Sequence, residues 1–138
     1  MNYNRILALA TAVAFLALAC SKSESNDDNG TVTPVITQGT WTVHYFKHNG
    51  IDKTSSLAGY TFTFNSNNSV TASKAGDNTA GTWSEIDDSG KRKLVITWVG
   101  GGIPAELLEM EDDWIVKSKS ATLIELTDGA DELHLHKQ

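Results

Sequence analysis

The segment Tyr60-Thr61-Phe62-Thr63-Phe64 decides the fold, because aromatic and threonine side chains alternate strictly along it. Successive side chains of a β-strand point to opposite faces of its sheet, so the three rings share one face and the threonines share the other. An apolar face opposite a polar face is typical of an antiparallel strand that is buried on one side only. The segment therefore predicts a half-buried β-strand.

The same alternation recurs on both sides of this segment, and short turns such as Asn49-Gly50 and Asp128-Gly129 separate the repeats. Short turns join antiparallel neighbours, and evenly spaced strands are typical of a sandwich or of an up-and-down barrel. Closure into a barrel removes the two free edges that an open sheet would expose. We therefore predict an all-β fold, a small eight-stranded antiparallel up-and-down barrel. Its strands are predicted at 41–48, 60–64, 70–73, 81–86, 93–99, 113–118, 122–127 and 132–137.

A helical spacing interrupts the alternation between the fifth and sixth predicted strands. Ile103, Leu107 and Met110 recur three or four residues apart, and Pro104 suits the first turn of a helix. The pattern fits a short helical turn that caps the barrel, and equally an irregular loop that presses its leucines onto the core.

Bulky side chains occupy the inward-facing positions of the predicted strands. An eight-stranded barrel has an interior just wide enough for side chains or for one small ligand. The predicted inward residues are Trp41, Val43, Tyr45, Tyr60, Phe62, Phe64, Val70, Trp83, Leu94, Ile96, Trp98, Trp114, Val116, Ile124, Leu126, Leu133 and Leu135. Of these, the predicted lining of a site for a small apolar ligand is Trp41, Tyr60, Phe62, Phe64, Trp98 and Trp114.

The composition excludes several classes of protein. A length of 138 residues predicts one domain, and a net charge of -6 argues against nucleic-acid binding. A single cysteine excludes an internal disulfide framework and multi-thiolate metal sites. No metalloprotease, serine-hydrolase or phosphate-binding loop motif occurs, so we expect a binding protein without a cofactor rather than an enzyme.

The N-terminus has the features of an export signal. Arg5 precedes an apolar run from Ile6 to Ala19, which is shorter than a membrane-spanning helix, and the lone Cys20 follows directly. The stretch resembles a bacterial lipoprotein signal peptide, which implies that Cys20 carries the lipid and anchors the chain in the cell envelope, with the outer membrane as the predicted location. The alternatives are an ordinary secretory signal that is cut near Cys20 and an uncleaved anchor. The predicted divisions are a signal peptide at 1–19, a flexible tether at 20–38, and a barrel at 39–138.

Two Gly-x-Trp segments, Gly39-Thr40-Trp41 and Gly81-Thr82-Trp83, open the first and fourth predicted strands. Together with the aromatic segment 60–64 and Trp114-x-Val116, they make residues 39–138 similar to the lipocalin-like domain of secreted bacterial lipoproteins. The resemblance implies a meandering barrel that binds an apolar molecule and has no known catalytic activity. It also implies that Trp41 packs across the closed end beside a basic residue from a late strand, for which Lys137 is the candidate.

Two alternatives to a ligand-binding interior follow from the surface residues. His44, His48, His134 and His136 are predicted on the outer face of the first and last strands, where facing imidazoles could hold zinc or copper. The chain could instead bind an envelope protein through its loops, in which case the apolar loop residues Ile51 and Leu57 would be important. The acidic run from Glu106 to Asp113 is interpreted as a solvated loop.

Overall fold

The computed structural model describes residues 30–138, so the predicted signal peptide, Cys20 and the start of the tether lie outside the described residues. The elements alternate between short strands and tight turns, with two single-turn helices. In chain order they are α1 (Thr33–Ile36), β1 (Trp41–His48), β2 (Ile51–Asp52), a 3₁₀ turn (Thr54–Leu57), β3 (Thr61–Phe64), β4 (Ser69–Lys74), β5 (Asp77–Asp88), β6 (Lys91–Trp98), α2 (Ala105–Leu108), β7 (Asp112–Lys119), β8 (Leu123–Asp128) and β9 (Asp131–Lys137).

Eight of the strands form a closed antiparallel barrel, which confirms the predicted fold. From β3 to β9 each strand pairs with the next one along the chain, and β1 closes the barrel by pairing with both β3 and β9. Trp41 lies opposite Lys137 on one side and Phe62 on the other. The two-residue β2 pairs only with the end of β1, so it lies outside the closed circuit.

The interior is a single apolar core. Fifteen of the seventeen side chains predicted to face inward are buried, and Val43 is half-buried against them. Seven further side chains complete the core of the described residues: Val32, Ile36, Phe46, Leu57, Ala72, Leu107 and Met110. Four of these seven come from the two helices and the residues that flank them, which the strand pattern could not indicate.

The inward prediction is wrong at Tyr45. The pairing of β1 with β9 shifts between Val43 and Tyr45, which is a β-bulge with His44 as the extra residue. A bulge moves every following side chain to the opposite face of the sheet. Phe46 is therefore fully buried, whereas the ring of Tyr45 lies outside, 5.2 Å from the ring of His134.

The last residues of the predicted tether belong to the folded domain. Val32 and Ile36 are fully buried, and the carbonyl of Ile36 accepts a 2.9 Å hydrogen bond from the indole nitrogen of Trp41. The carboxylate of Glu85 accepts bonds from the backbone N–H groups of Val32 (2.8 Å) and Thr33 (2.9 Å), and another from the Thr33 hydroxyl. The tether prediction is therefore wrong for this part of 30–38, because two buried side chains and one carboxylate hold α1 against the barrel.

The opposite end of the barrel is closed by α2 and the 3₁₀ turn, which pack against each other. Leu107 and Met110 are fully buried, and the carbonyl of Met110 accepts a 3.0 Å hydrogen bond from the indole of Trp114. Of the two conformations expected for this segment, the structure therefore has the helical turn and not the irregular loop. Leu57 is 1% exposed, so its predicted place on an exposed loop is wrong.

We call the two ends of the barrel the α1 end and the α2 end. At the α1 end, the aliphatic stem of Lys137 lies so close to Gly39 that a Cβ there would stand 2.9 Å from its Cε atom. Lys137 pairs with Trp41 across β1 and β9, and a contact between their side chains stays a prediction. Neither α1 nor α2, nor any other helix in residues 30–138, is long and apolar enough to cross a membrane.

Candidate functional site

The six side chains predicted to line a ligand pocket meet in the core, but they fill it. Trp41, Phe62 and Trp114 are fully buried, and none of the six is more than 5% exposed. The ring centroid of Phe62 lies 6.0 Å from that of Tyr60 and 6.2 Å from that of Trp98. These are contact distances for aromatic rings, so in this conformation the rings pack on one another where a ligand was expected.

The four tryptophans of the core differ in one respect. The indole nitrogens of Trp41, Trp83 and Trp114 each donate to a backbone carbonyl, those of Ile36, Asn65 and Met110, at 2.9–3.0 Å. Trp98 is only 4% exposed, and its indole nitrogen has no hydrogen-bond partner. A buried donor without an acceptor costs about 1–3 kcal/mol, and such groups are rare in folded proteins.

Two adjoining clefts lie at the α2 end, where β6 leads into the loop before α2. The first has a volume of about 280 Å³ and is lined by Tyr60, Lys74, Ala75, Asp77, Thr79 and Pro104. The second has a volume of about 440 Å³ and is lined by Asp77, Asn78, Thr79, Ala80, Val99, Gly101, Gly102 and Pro104. Asp77, Thr79 and Pro104 border both clefts.

Trp98 lies in the core next to residues that line the second cleft, although its own side chain lines neither cleft. Val99, its neighbour in the chain, lines the second cleft, and Gly81, its partner across the sheet, directly follows the cleft residue Ala80. A Cβ on Gly81 would lie 2.8 Å from the Trp98 ring, so this glycine makes room for the indole. We call the two clefts together with Trp98 the rim site.

Carboxylates from the segment that follows the clefts fasten that segment to the barrel. Glu106 accepts a 3.0 Å hydrogen bond from the hydroxyl of Tyr60, and Glu111 accepts a 2.5 Å bond from the backbone N–H of Trp98. Burial, aided by Glu106, raises the pKa of Tyr60 to about 12. Lys74 places its ammonium 4.6 Å from the centroid of the Tyr60 ring, a cation–π contact.

The predicted four-histidine metal site does not assemble. The rings of His44 and His136 lie 6.1 Å apart on the outer face, whereas His134 lies against Tyr45. The bulge turns His48 away from them: its ring stacks on Phe46 with a centroid distance of 6.1 Å, and its Nδ1 lies 3.0 Å from Asp131. The sequence pattern predicted all four histidines on one face because it gives no sign of the bulge, which shifts the register of β1 after Val43.

Three carboxylates converge: two from the acidic run that was predicted to be a solvated loop, and a third, Asp128, from the end of β8. Within residues 30–138, Asp112, Asp113 and Asp128 form the group of potential metal ligands that lie within 4.8 Å of one another. The ammonium of Lys93 lies 2.6 Å from Asp113 and lowers the pKa of that carboxyl. Burial raises the pKa of Asp112. A lysine thus already supplies positive charge at the group.

Several large apolar side chains are exposed, and three of them lie at the α2 end. Ile51 is 60% exposed beyond the β1–β2 turn, Val99 is 49% exposed after β6, and Leu108 is 47% exposed on α2. Ile51 thus lies at the surface, where the sequence placed it. The exposure of Val99 was not predicted, because the following glycines, Gly100 to Gly102, were interpreted only as the end of a strand.

Comparison with known proteins supports the architecture. The structure is similar to the crystal structure of a DUF4847 family protein from Bacteroides vulgatus ATCC 8482. The TM-score is 0.59 and the sequence identity 17%, over 78% of this chain and 98% of that chain. The likeness is one of fold. It is consistent with the lipocalin-like barrel, whereas membership of the lipoprotein family stays a prediction. No protein-family model and no curated protein matches the chain.

Proposed function

We propose that this protein is a lipid-anchored barrel of the cell envelope that binds a small, largely apolar molecule at the rim site. The observation that carries the proposal is the unpartnered indole N–H of Trp98 in a core whose other three indole nitrogens are bonded. A ligand that brings one acceptor to this donor removes the cost of leaving it unpaired. The role is binding, without catalysis and without a cofactor.

The dimensions of the clefts suit a small molecule. Ligand sites generally enclose about 300–1,000 Å³ and combine apolar walls with a few polar groups. The first cleft, at about 280 Å³, is slightly smaller than that range, and the second, at about 440 Å³, lies within it. Pro104 borders both clefts, and Tyr60 borders the first. Gly100 and Gly102 have φ angles of 108° and 70°, which glycine adopts without strain, so the loop over the second cleft can change its path at low cost.

The anchor and the rim site lie at opposite ends under this proposal. Lipidated Cys20 holds the chain on the outer membrane, and several acyl chains on one residue suffice for a stable anchor. The chain enters the barrel through α1, which Glu85 holds at the end away from the clefts. The rim site therefore faces away from the anchored surface and is open to molecules that arrive by diffusion.

Native mass spectrometry of the full chain, purified from the envelope of its own host, tests the ligand. We expect a bound small molecule in the wild type and its loss in Trp98→Phe. The matched control is Trp83→Phe, which removes an indole that already has a partner, Asn65. Near-UV circular dichroism shows whether each variant keeps its packed core. A wild-type protein without a bound molecule, or one whose ligand survives Trp98→Phe, would contradict the proposal.

The anchor is tested separately by feeding cells radiolabelled palmitate. Label should enter the wild-type protein and be absent from Cys20→Ser, which should also leave the membrane fraction. An unlabelled wild-type protein would show that the chain is secreted without a lipid, and the ligand proposal would then stand without its membrane anchor.

A protein-interaction role is the second candidate, and the exposure of Ile51, Val99 and Leu108 at one end of the barrel favours it. Exposed apolar groups that lie together can mark a contact surface. Under this alternative an envelope protein, rather than a small molecule, would co-purify with the wild type, and Leu108→Ser would abolish the association while Trp98→Phe would not.

A further inference from the structure

We infer that His44 and His136 together bind one divalent transition-metal ion, such as Zn²⁺, on the outer face of the barrel where β1 pairs with β9. The site is independent of the rim site and of the proposed function. It follows from where the bulge in β1 places two imidazoles, and it keeps two of the four histidines that the sequence singled out as metal ligands.

The bulge makes the two rings neighbours across the closing pair of strands. Thr42 lies opposite His136 and Tyr45 lies opposite His134, so His44 is the extra residue between two paired positions. The side chains of His44 and His136 are both exposed. Their ring centroids are 6.1 Å apart, and the ring planes make an angle of 43°. The two imidazoles therefore face solvent side by side.

The separation of the rings suits coordination to one ion. Zn²⁺ lies about 2.0–2.1 Å from a coordinating imidazole nitrogen, which puts the ring centroid about 3.2 Å from the ion. Two imidazoles on one ion therefore have centroids about 5.2 Å apart at a tetrahedral angle and about 6.4 Å apart at a linear one. The distance of 6.1 Å between His44 and His136 lies within this interval. Rotation of two exposed side chains brings one nitrogen of each ring to the ion, without a change in the backbone.

The two imidazoles have no competing partner, unlike those of the other two histidines. The rings of His48 and His134 have nitrogens 3.0 and 3.5 Å from carboxylate oxygens. Within residues 30–138, the rings of His44 and His136 take part in no hydrogen bond or ion pair. Imidazole suits zinc, copper and nickel, whereas calcium and magnesium prefer oxygen ligands. The pair therefore selects a transition metal, and water completes its coordination.

An ion held by both rings joins the first strand of the barrel to the last. His44 and His136 are 92 positions apart in the sequence, and their strands form the pairing that closes the barrel. The folded chain offers both ligands to one ion, whereas the unfolded chain offers them separately. A ligand that binds the folded state more tightly stabilises it, so the ion should strengthen the closure of the barrel.

Zinc titration of the full chain, without an affinity tag and held in amphipol, tests the inference. Isothermal titration calorimetry measures binding, and urea denaturation with and without Zn²⁺ measures stabilisation. We expect a dissociation constant in the micromolar range, weakened at least tenfold in His44→Gln and in His136→Gln. Zn²⁺ should raise the urea midpoint of the wild type and not that of either variant. His48→Gln is the matched control, because it removes an imidazole of β1 that already faces Asp131, and it should change neither result.

Both test variants replace exposed side chains, so circular dichroism should show that they keep the wild-type fold. A wild type that binds no Zn²⁺, or binding that survives either variant, would overturn the inference. Binding that is lost in Asp128→Asn instead would place the ion at the three aspartates and would also overturn it. Binding without a rise in the urea midpoint would show that the ion does not join the two strands, against the inference. None of these results bears on the rim site, which Trp98→Phe tests.

Discussion

Replacing Glu85 by alanine tests whether α1 is part of the folded domain. The side chain of Glu85 is only 7% exposed, and it accepts hydrogen bonds from the backbone of Val32 and Thr33. Hydrogen bonds to a charged group contribute roughly 1.5–3 kcal/mol each when buried, and less when water competes. Because Val32 is buried and Thr33 is exposed, we expect Glu85→Ala to lower the free energy of unfolding by about 2–4 kcal/mol.

The loss of stability caused by Glu85→Ala has an upper limit, because α1 can detach from the barrel while the rest of the domain stays folded. Release exposes the side chains of Val32 and Ile36, each of which contributes roughly 1.5–3 kcal/mol when buried. The free energy of unfolding therefore cannot fall by more than about 3–6 kcal/mol through this segment. Glu85→Gln keeps one acceptor oxygen and should lose about half as much as the alanine variant.

Urea denaturation followed by circular dichroism measures the loss of stability and shows whether α1 has detached. The midpoint reports the loss of stability, and the dependence on urea concentration reports the surface exposed on unfolding, which falls if α1 has already detached. Asp87→Ala is the matched control: Asp87 also faces Arg92, at 3.7 Å, but it is 54% exposed. Its carboxylate accepts a 2.9 Å hydrogen bond from the backbone N–H of Gly90, so we expect a loss of about 1 kcal/mol or less. A Glu85→Ala protein as stable as the Asp87→Ala control would refute the packing of α1 described above.

Three further predictions test the core and the rim site. Phe46→Ala should lower the free energy of unfolding by about 3–5 kcal/mol, and Tyr45→Ala by about 1 kcal/mol or less, because the bulge buries the ring of Phe46 and leaves that of Tyr45 outside. Equal losses for the two variants in urea denaturation would argue against the bulge. Gly81→Ala should lower the thermal midpoint by several degrees because its Cβ would lie 2.6 Å from a backbone oxygen, whereas Gly101→Ala, which meets nothing within 4 Å, should be nearly neutral. Burial raises the pKa of Tyr60 to about 12, so its stabilising effect is complete below about pH 10 and is lost as the pH rises toward 12. Ultraviolet titration at high pH should therefore show a late tyrosinate that Tyr60→Phe removes, and a Tyr60 that ionises near pH 10 would contradict this.

The alternation of side chains was sufficient to predict the barrel. Each hydrophobic strand face, such as that of Tyr60, Phe62 and Phe64, is a local property that the sequence displays directly. The register after the bulge was not predictable, because one extra residue at His44 leaves the sequence pattern of β1 unchanged while it exchanges Tyr45 and Phe46. The turn at Asn49-Gly50, in contrast, was predictable from the residue types. Both residues have positive φ angles, as a tight hairpin requires.

The candidate site was predicted only in part. Trp98 and Tyr60 were singled out from the sequence, but as the lining of an empty interior. That the interior would be filled depends on how far opposite walls approach each other, which no local pattern reports. The same holds for α1, where Val32 and Ile36 are two apolar residues within a polar stretch.

The pairing of β1 with β9 means that the first and the last strand of the domain depend on each other. Trp41 meets Lys137 across this seam, so the ladder cannot form until nearly the whole chain is available. Contacts between such distant residues carry a large loop-closure entropy and slow the search for the native state. Loss of the final few residues would therefore shorten β9 and also leave backbone groups of β1 and β8 unpaired. Each of these strands could then pair with a neighbouring molecule and start an aggregate.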